Sequence, residues 1–163
     1  MKAKANYIVL VWCLALFLSC QTNITHTQYT GVQNGKWAVN DTISFSFTPA
    51  DTTSVHHLFL QVRNDNSYPF SNLFLITKLG YPTGEVETDT LEYAMALPDG
   101  SWLGTGAGSI KESKLWHREN IVFPNSGVYT LEVIHAMRKN GKTEGVSVLE
   151  GILDVGYQIE KSN

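Results

Sequence analysis

Apolar and polar residues take turns through much of this chain, and that two-residue period is the mark of strands buried on one face. Ile43, Phe45 and Phe47 alternate with Ser44 and Ser46, and Leu58, Leu60 and Val62 alternate with His57, Phe59, Gln61 and Arg63. The segment from Asn72 to Leu79 is denser in apolar residues and reads as a central strand covered on both faces. Leu91, Tyr93, Met95 and Leu97, then Tyr129, Leu131, Val133 and His135, and last Leu153, Val155, Tyr157 and Ile159 repeat the alternation. Asp99-Gly100, Ser126-Gly127 and Asn140-Gly141 separate these runs with residues suited to tight turns. The stretch from Ile110 to Glu119 reads as one or two helical turns, with Ile110, Leu115 and Trp116 on one side. Short strands, glycine-bearing turns and almost no helix predict an all-β fold. We expect a two-sheet antiparallel β-sandwich of jelly-roll or related Greek-key topology.

The N-terminus has a different character. Lys2 and Lys4 precede an uninterrupted apolar run from Tyr7 to Leu18, followed by Ser19-Cys20. That is the layout of a secretory signal peptide. As a helix the run covers only about 18 Å of a ~30 Å hydrocarbon core, too little to span it. Phe17-Leu18-Ser19-Cys20 resembles a lipobox, where bacterial lipoproteins are acylated on the cysteine and then cleaved in front of it. Residues 1–19 are therefore expected to be removed, and a multiply acylated Cys20 would hold the protein stably on a membrane. Cys13 leaves with the signal, so the mature chain has no disulfide and depends on its hydrophobic core. Residues 20–34 are rich in Thr, Asn and Gln without periodicity and read as a lipidated N-terminus and flexible tether. Residues 35–163 then form one β-sandwich domain, beginning near Trp37.

Fifteen acids against twelve Lys and Arg give a formal net charge of −3, and loss of Lys2 and Lys4 makes the balance more acidic. That argues against nucleic acid, whose phosphates require a basic face. No constellation of catalytic or metal-binding residues stands out. His56 and His57 are neighbours on a predicted strand and point to opposite faces, so they cannot share one metal ion. Gly104, Gly106 and Gly108 fit neither dinucleotide nor phosphate-loop spacing and read as a tightly turning loop. Ser101, Ser109, His117 and His135 lack a nucleophile elbow. Glu85 and Glu87, two apart on one strand face, read as solvent-facing charge rather than an acid–base pair. Trp102 and Trp116 flank the glycine-rich loop and, with Tyr68 and Phe70, are the candidate partner-binding aromatics. No cofactor, metal or small-molecule substrate is expected.

Several blocks together carry a family likeness. They are Arg63-Asn64, Tyr68-Pro69-Phe70-Ser71-Asn72-Leu73, Asp99-Gly100-x-Trp102-x-Gly104-x-Gly106, Phe123-Pro124-x-x-Gly127-x-Tyr129, His135-Ala136-Met137-Arg138 and Leu149-x-Gly151-Ile152-x-Asp154-Val155-Gly156. In combination they resemble the gliding-motility lipoprotein GldH family of the Bacteroidota, from Trp37 to Lys161. The resemblance implies an accessory envelope lipoprotein without a cofactor or a reaction, required for gliding and linked to type IX secretion, with other gliding or secretion proteins as partners. Surface-bound lipoproteins of that phylum tend to carry acids just after the acylated cysteine, and Gln21-Thr22-Asn23-Ile24 has none. A periplasm-facing protein on the outer membrane is the expectation that follows. The phylum's O-glycosylation pattern also resembles Asp41-Thr42-Ile43, Asp51-Thr52-Thr53 and Asp89-Thr90-Leu91, which makes Thr42, Thr52 and Thr90 candidate sites. The leading expectation is a non-enzymatic scaffold. The alternatives are a carbohydrate-binding sandwich that uses exposed tryptophans, and a hydrolase assembled from dispersed residues.

Overall fold

The computed structural model describes residues 23–162; the expected signal segment and Cys20 lie outside the described residues. The strands are β1 (Ile24–Gly31), β2 (Lys36–Ala38), β3 (Ile43–Phe47), β4 (Val55–Asn64), β5 (Asn72–Gly80), β6 (Val86–Ala94), β7 (Lys111–Val122), β8 (Tyr129–His135), β9 (Val148–Glu150) and β10 (Ile152–Lys161). A short 3-10 turn at Gln33–Gly35 lies between β1 and β2. Two four-stranded sheets have the orders β1-β10-β4-β7 and β3-β8-β5-β6, and β2 pairs with β9 in a small ribbon. All pairings are antiparallel. The chain passes directly between the two large sheets after β3, β4, β6 and β7, so most neighbours within a sheet, the β5–β6 pair excepted, are distant in sequence. This is the jelly-roll order of a double-sheet sandwich.

The alternation read from the sequence points each strand's apolar face inward. Ile43, Phe45 and Phe47 of β3 are buried while Ser44 and Ser46 are exposed. Leu58, Leu60 and Val62 of β4 face Leu73, Leu75 and Leu79 of β5 within one core. At one end Phe47 packs on Phe123 (5.3 Å between ring centroids), Tyr129 (5.6 Å) and Tyr157 (5.4 Å), which ties strands of both sheets together. We call this the terminal end. It holds the start of β1, the end of β10 and the turns 48–54, 81–85 and 123–128. The opposite turn end holds segments 65–71, 95–110 and 136–147.

Two expectations are corrected here. Residues 110–119 are not helical: from Lys111 onward they belong to β7, which pairs with β4 from Val55↔Val122 to Asn64↔Lys111. The charges that suggested a solvated helix face are the outward positions of this strand: Glu112 meets Arg63 at 2.6 Å and Lys114 meets Glu160 at 2.7 Å. The inward positions Ser113 and Leu115 are buried. Likewise the stretch read as a flexible tether is strand from Ile24 onward, with β1 laid along β10 from Ile24↔Glu160 to Gly31↔Asp154. β1 is an edge strand, and among its residues only His26, Tyr29 and Thr30 are even partly buried. Its polar composition therefore hid its pairing.

Phe47 sits where the aromatic contacts of both sheets converge. Phe47→Ala is expected to destabilise the fold by about 3–5 kcal/mol, the usual range for emptying an aromatic core position. A fall in the urea midpoint with unchanged slope checks it.

Candidate docking site

The turn from β4 to β5 is built to hold Pro69 and Phe70 in place. The Asp65 carboxylate accepts the Ser67 N–H (2.8 Å) and hydroxyl, a local turn that Asp favours. Tyr68 is buried (3% exposed), and its hydroxyl donates to the Asn72 carbonyl at 2.6 Å. Burial pushes its phenol pKa well above the ordinary value, so it stays neutral. The Met137 sulfur, 4.0 Å from that hydroxyl, accepts the Phe74 N–H at 3.1 Å. Beneath the turn Gly151 has φ +83, and a Cβ there would lie 2.2 Å from the Tyr68 nitrogen. Only glycine lets the two backbones approach this closely. The Asp65 N–H donates to the Gly151 carbonyl at 2.9 Å, which closes the contact.

Two open clefts meet at Pro69, Phe70 and Lys139. The smaller, about 410 Å³, runs from Phe70 past Val146 and Val148, with Lys142, Glu144 and Glu150 on its rim. The larger, about 900 Å³, has Phe70, Phe74, Ala94 and Ala96 as its apolar floor, with Glu92 and Arg138 at its edges. Asn72 donates to Glu92 at 2.8 Å, which fixes one edge. Charged residues of both signs, Lys139, Lys142, Glu144 and Glu150 in the smaller cleft and Glu92, Arg138 and Lys139 in the larger, line these clefts together with the apolar side chains.

The four aromatics singled out in the sequence do not share one surface. Tyr68 is internal and supports the turn. Phe70, half-buried and 5.9 Å from the Tyr68 ring, is the one that lines both clefts. Trp102 is half-buried, 6.2 Å from the Tyr68 ring, and its indole N–H donates to the Asn66 side chain at 3.2 Å. It braces the turn from behind. Trp116 is far along β7 and 49% exposed, on the outer face of the β1-β10-β4-β7 sheet, where it covers Phe59 at 4.3 Å and His57 at 5.2 Å. Phe74, Arg138 and Lys139 were missed as site residues. Phe74 was hidden inside a run read as buried strand, and Arg138-Lys139 precede a turn whose direction no spacing reveals.

Among the described residues no histidine hydrogen-bonds a carboxylate, and no group of His, Cys, Asp or Glu is arranged to hold a metal ion. Both ring nitrogens of His117 lack a partner, and burial, reinforced by the Arg118 charge, pushes its pKa down to about 4. His135 is buried against Trp37 at 5.4 Å, and burial lowers its pKa too. Ser101 donates to Asp99 in a surface turn, away from any histidine. Thr42 and Thr90 are exposed and Thr52 is half-buried beside Asp51, whose carboxylate accepts the Thr53 and Ser54 N–H groups and is held at about 2.

Fold and site define the class: a jelly-roll sandwich with two open clefts of mixed polar and apolar lining that meet at Phe70. The family model described as GldH lipoprotein matches residues 24–159. A gliding motility lipoprotein GldH homolog of Christiangramia forsetii is 43% identical over 163 residues, covering 100% of this chain and 99% of that one. Gliding motility lipoprotein GldH of Flavobacterium johnsoniae is 40% identical over 163 residues, covering 100% of both. Among solved structures, the infectious bursal disease virus VP2 subviral particle matches at a TM-score of 0.34 and 18% identity, over 86% of this chain and 32% of that chain, which carries no argument. The chain belongs to the GldH lipoprotein family.

Gly151→Ala is expected to displace the Tyr68 turn and destabilise the protein by more than about 1 kcal/mol. Thermal unfolding compared with a Gly141→Ala control, where a Cβ meets nothing within 4 Å, checks it. The histidines set a pH dependence of definite sign. His117 titrates at about 4 when folded and near 6.5 when unfolded, so protonation favours the unfolded chain. Its neutral form leaves stability at full value above pH 6.5, and stability is lost as pH falls from there toward 4. Urea midpoints across that window should fall in the wild type and fall less steeply in His117→Gln.

Proposed function

We propose that this protein is a non-enzymatic scaffold of the gliding and type IX secretion apparatus, anchored through acylated Cys20 to the outer membrane and facing the periplasm. Its task on this reading is to hold a polypeptide segment of another component of that apparatus in the cleft around Phe70. Membership of a family whose characterised name is gliding motility lipoprotein supports the setting. The observation that carries the docking role is the convergence of two clefts on Phe70, which packs on a Tyr68 that is itself held by Met137 and by the close approach of Gly151. A preformed cleft binds with less ordering cost than a mobile one. The absence of acidic residues in Gln21-Thr22-Asn23-Ile24 supports the periplasmic side.

Photoreactive residues placed at Phe70 and Arg138 in living cells should crosslink to a gliding or secretion protein, and the same group at Thr105 should not. Phe70→Ala should abolish colony spreading while leaving protein abundance unchanged. Normal spreading and no crosslink at either cleft position would overturn the docking role.

A second reading is favoured by one observation, the half-exposed Trp116 ring on a sheet face that also presents Lys114 and Glu160. Such a face suits stacking on a sugar ring. Under it Trp116→Ala would abolish binding to envelope glycans, and Phe70→Ala would not. Thr42, Thr52 and Thr90 stand as O-glycosylation sites, and an intact mass in excess of the lipidated chain is the expected sign of it.

A further inference from the structure

β1 begins at Ile24, four positions beyond Cys20. Extended chain spans at most ~3.3–3.6 Å per residue, so the link between an acylated Cys20 and the first paired residue reaches about 14 Å at the limit. The headgroup layer alone takes up roughly 5–8 Å of that. Nor can β1 peel away to lengthen the link without cost. It is paired with β10 along its whole length, and the Lys161 N–H donates to the Asn23 carbonyl at 2.8 Å.

We propose that the terminal end of the sandwich rests on the phospholipid surface that holds the anchor, so that the strands stand away from the membrane and the Phe70 clefts face outward. The proposal rests on the reading of Cys20 as the lipid attachment. The terminal end has the chemistry for such contact. Ile24 (38% exposed), Val55 (38%), Val122 (37%) and Val128 (57%) lie at the starts or ends of strands or in turns there. Lys161 is exposed at the same end, but so are Glu85 and Glu119. A mixed and slightly acidic rim fits zwitterionic headgroups rather than anionic ones. The other end is far from contact. β10 runs ten residues from Lys161 to Ile152, which at ~3.3 Å per residue places the Gly151 turn and the clefts about 30 Å from the membrane.

The mature chain offers a clean test, because Cys20 is consumed by the lipid and no other cysteine remains. Val55→Cys, Val122→Cys and Asn140→Cys variants of the lipidated protein would each carry one thiol-linked fluorophore. They would be placed in phosphatidylcholine–phosphatidylethanolamine vesicles containing a headgroup-nitroxide lipid. Quenching at positions 55 and 122 should exceed that at 140 by at least two-fold, and twenty Gly/Ser residues inserted after Thr22 should remove the difference. Equal quenching at all three positions in protein that floats with the vesicles would overturn the orientation and leave the anchor intact. Protein that does not float with the vesicles would remove the anchor reading itself.

Discussion

The pairing of β10 on both of its edges is the constraint on which the rest of the molecule depends. Its one side takes β1 and its other side takes β4, so the last strand of the chain is the second strand of its sheet. Three features follow from that placement. β1, the first described strand, is fixed beside β10, the last. Gly151, just ahead of β10, supports the turn that carries Phe70. Gly156, where a Cβ would come within 2.8 Å of the Tyr29 ring, lets that ring lie flat on the sheet. Contacts between residues as distant in sequence as Ile24 and Glu160 close late, because loop-closure entropy must be overcome before they contribute. A sandwich of this order is complete only when both β1 and β10 have been added to it.

The outer face of the β1-β10-β4-β7 sheet is a second, smaller layer rather than bare strand. The Arg63 guanidinium lies 4.4 Å from the Tyr29 ring centroid and binds Glu112, while the Lys114 ammonium lies 3.9 Å from the Phe59 ring centroid and binds Glu160. Each ion pair alone, exposed as it is, contributes little. Each cation also covers an aromatic ring, and Phe59 is only 3% exposed although it points away from the core. The charges of β7 thus have packing as their main role. The same strand meets β6 across the open side of the sandwich through side chains: Arg118 binds Glu87 at 2.9 Å, and the Tyr93 hydroxyl donates to the Trp116 carbonyl at 2.6 Å. Those contacts bring the two edge strands together without a backbone ladder, so the sheets remain a sandwich.

What could be read from the sequence was what one buried face writes into it. β3, β4, β8 and β10 carry a two-residue period because one face of each is inside, and β5 was found from its density. β7 was misread because only Ser113 and Leu115 among its residues are fully buried, and its outward charges fall at spacings a short helix also allows. β1 was misread because an edge strand with polar side chains has no period to read. The site was legible in part for the same reason. Tyr68 and Phe70 stand out as aromatics in a turn, but that one is a support and the other a cleft wall depends on Gly151 and Met137, which reach them from elsewhere in the chain.

Stiffness is the property these features share, and it bears on the proposed role. A domain on a long mobile tether samples a wide volume and presents its cleft in all directions, whereas one whose first strand is locked to its last presents it in one. Here no more than a few residues separate Cys20 from a strand paired along its whole length with β10. The turn that holds Phe70 is fixed to Gly151, just ahead of the other end of β10. One continuous ladder therefore links the end where β1 begins to the cleft. If Cys20 carries the anchor and Phe70 the partner as proposed, this rigid path holds a bound segment at a set height and heading above the membrane.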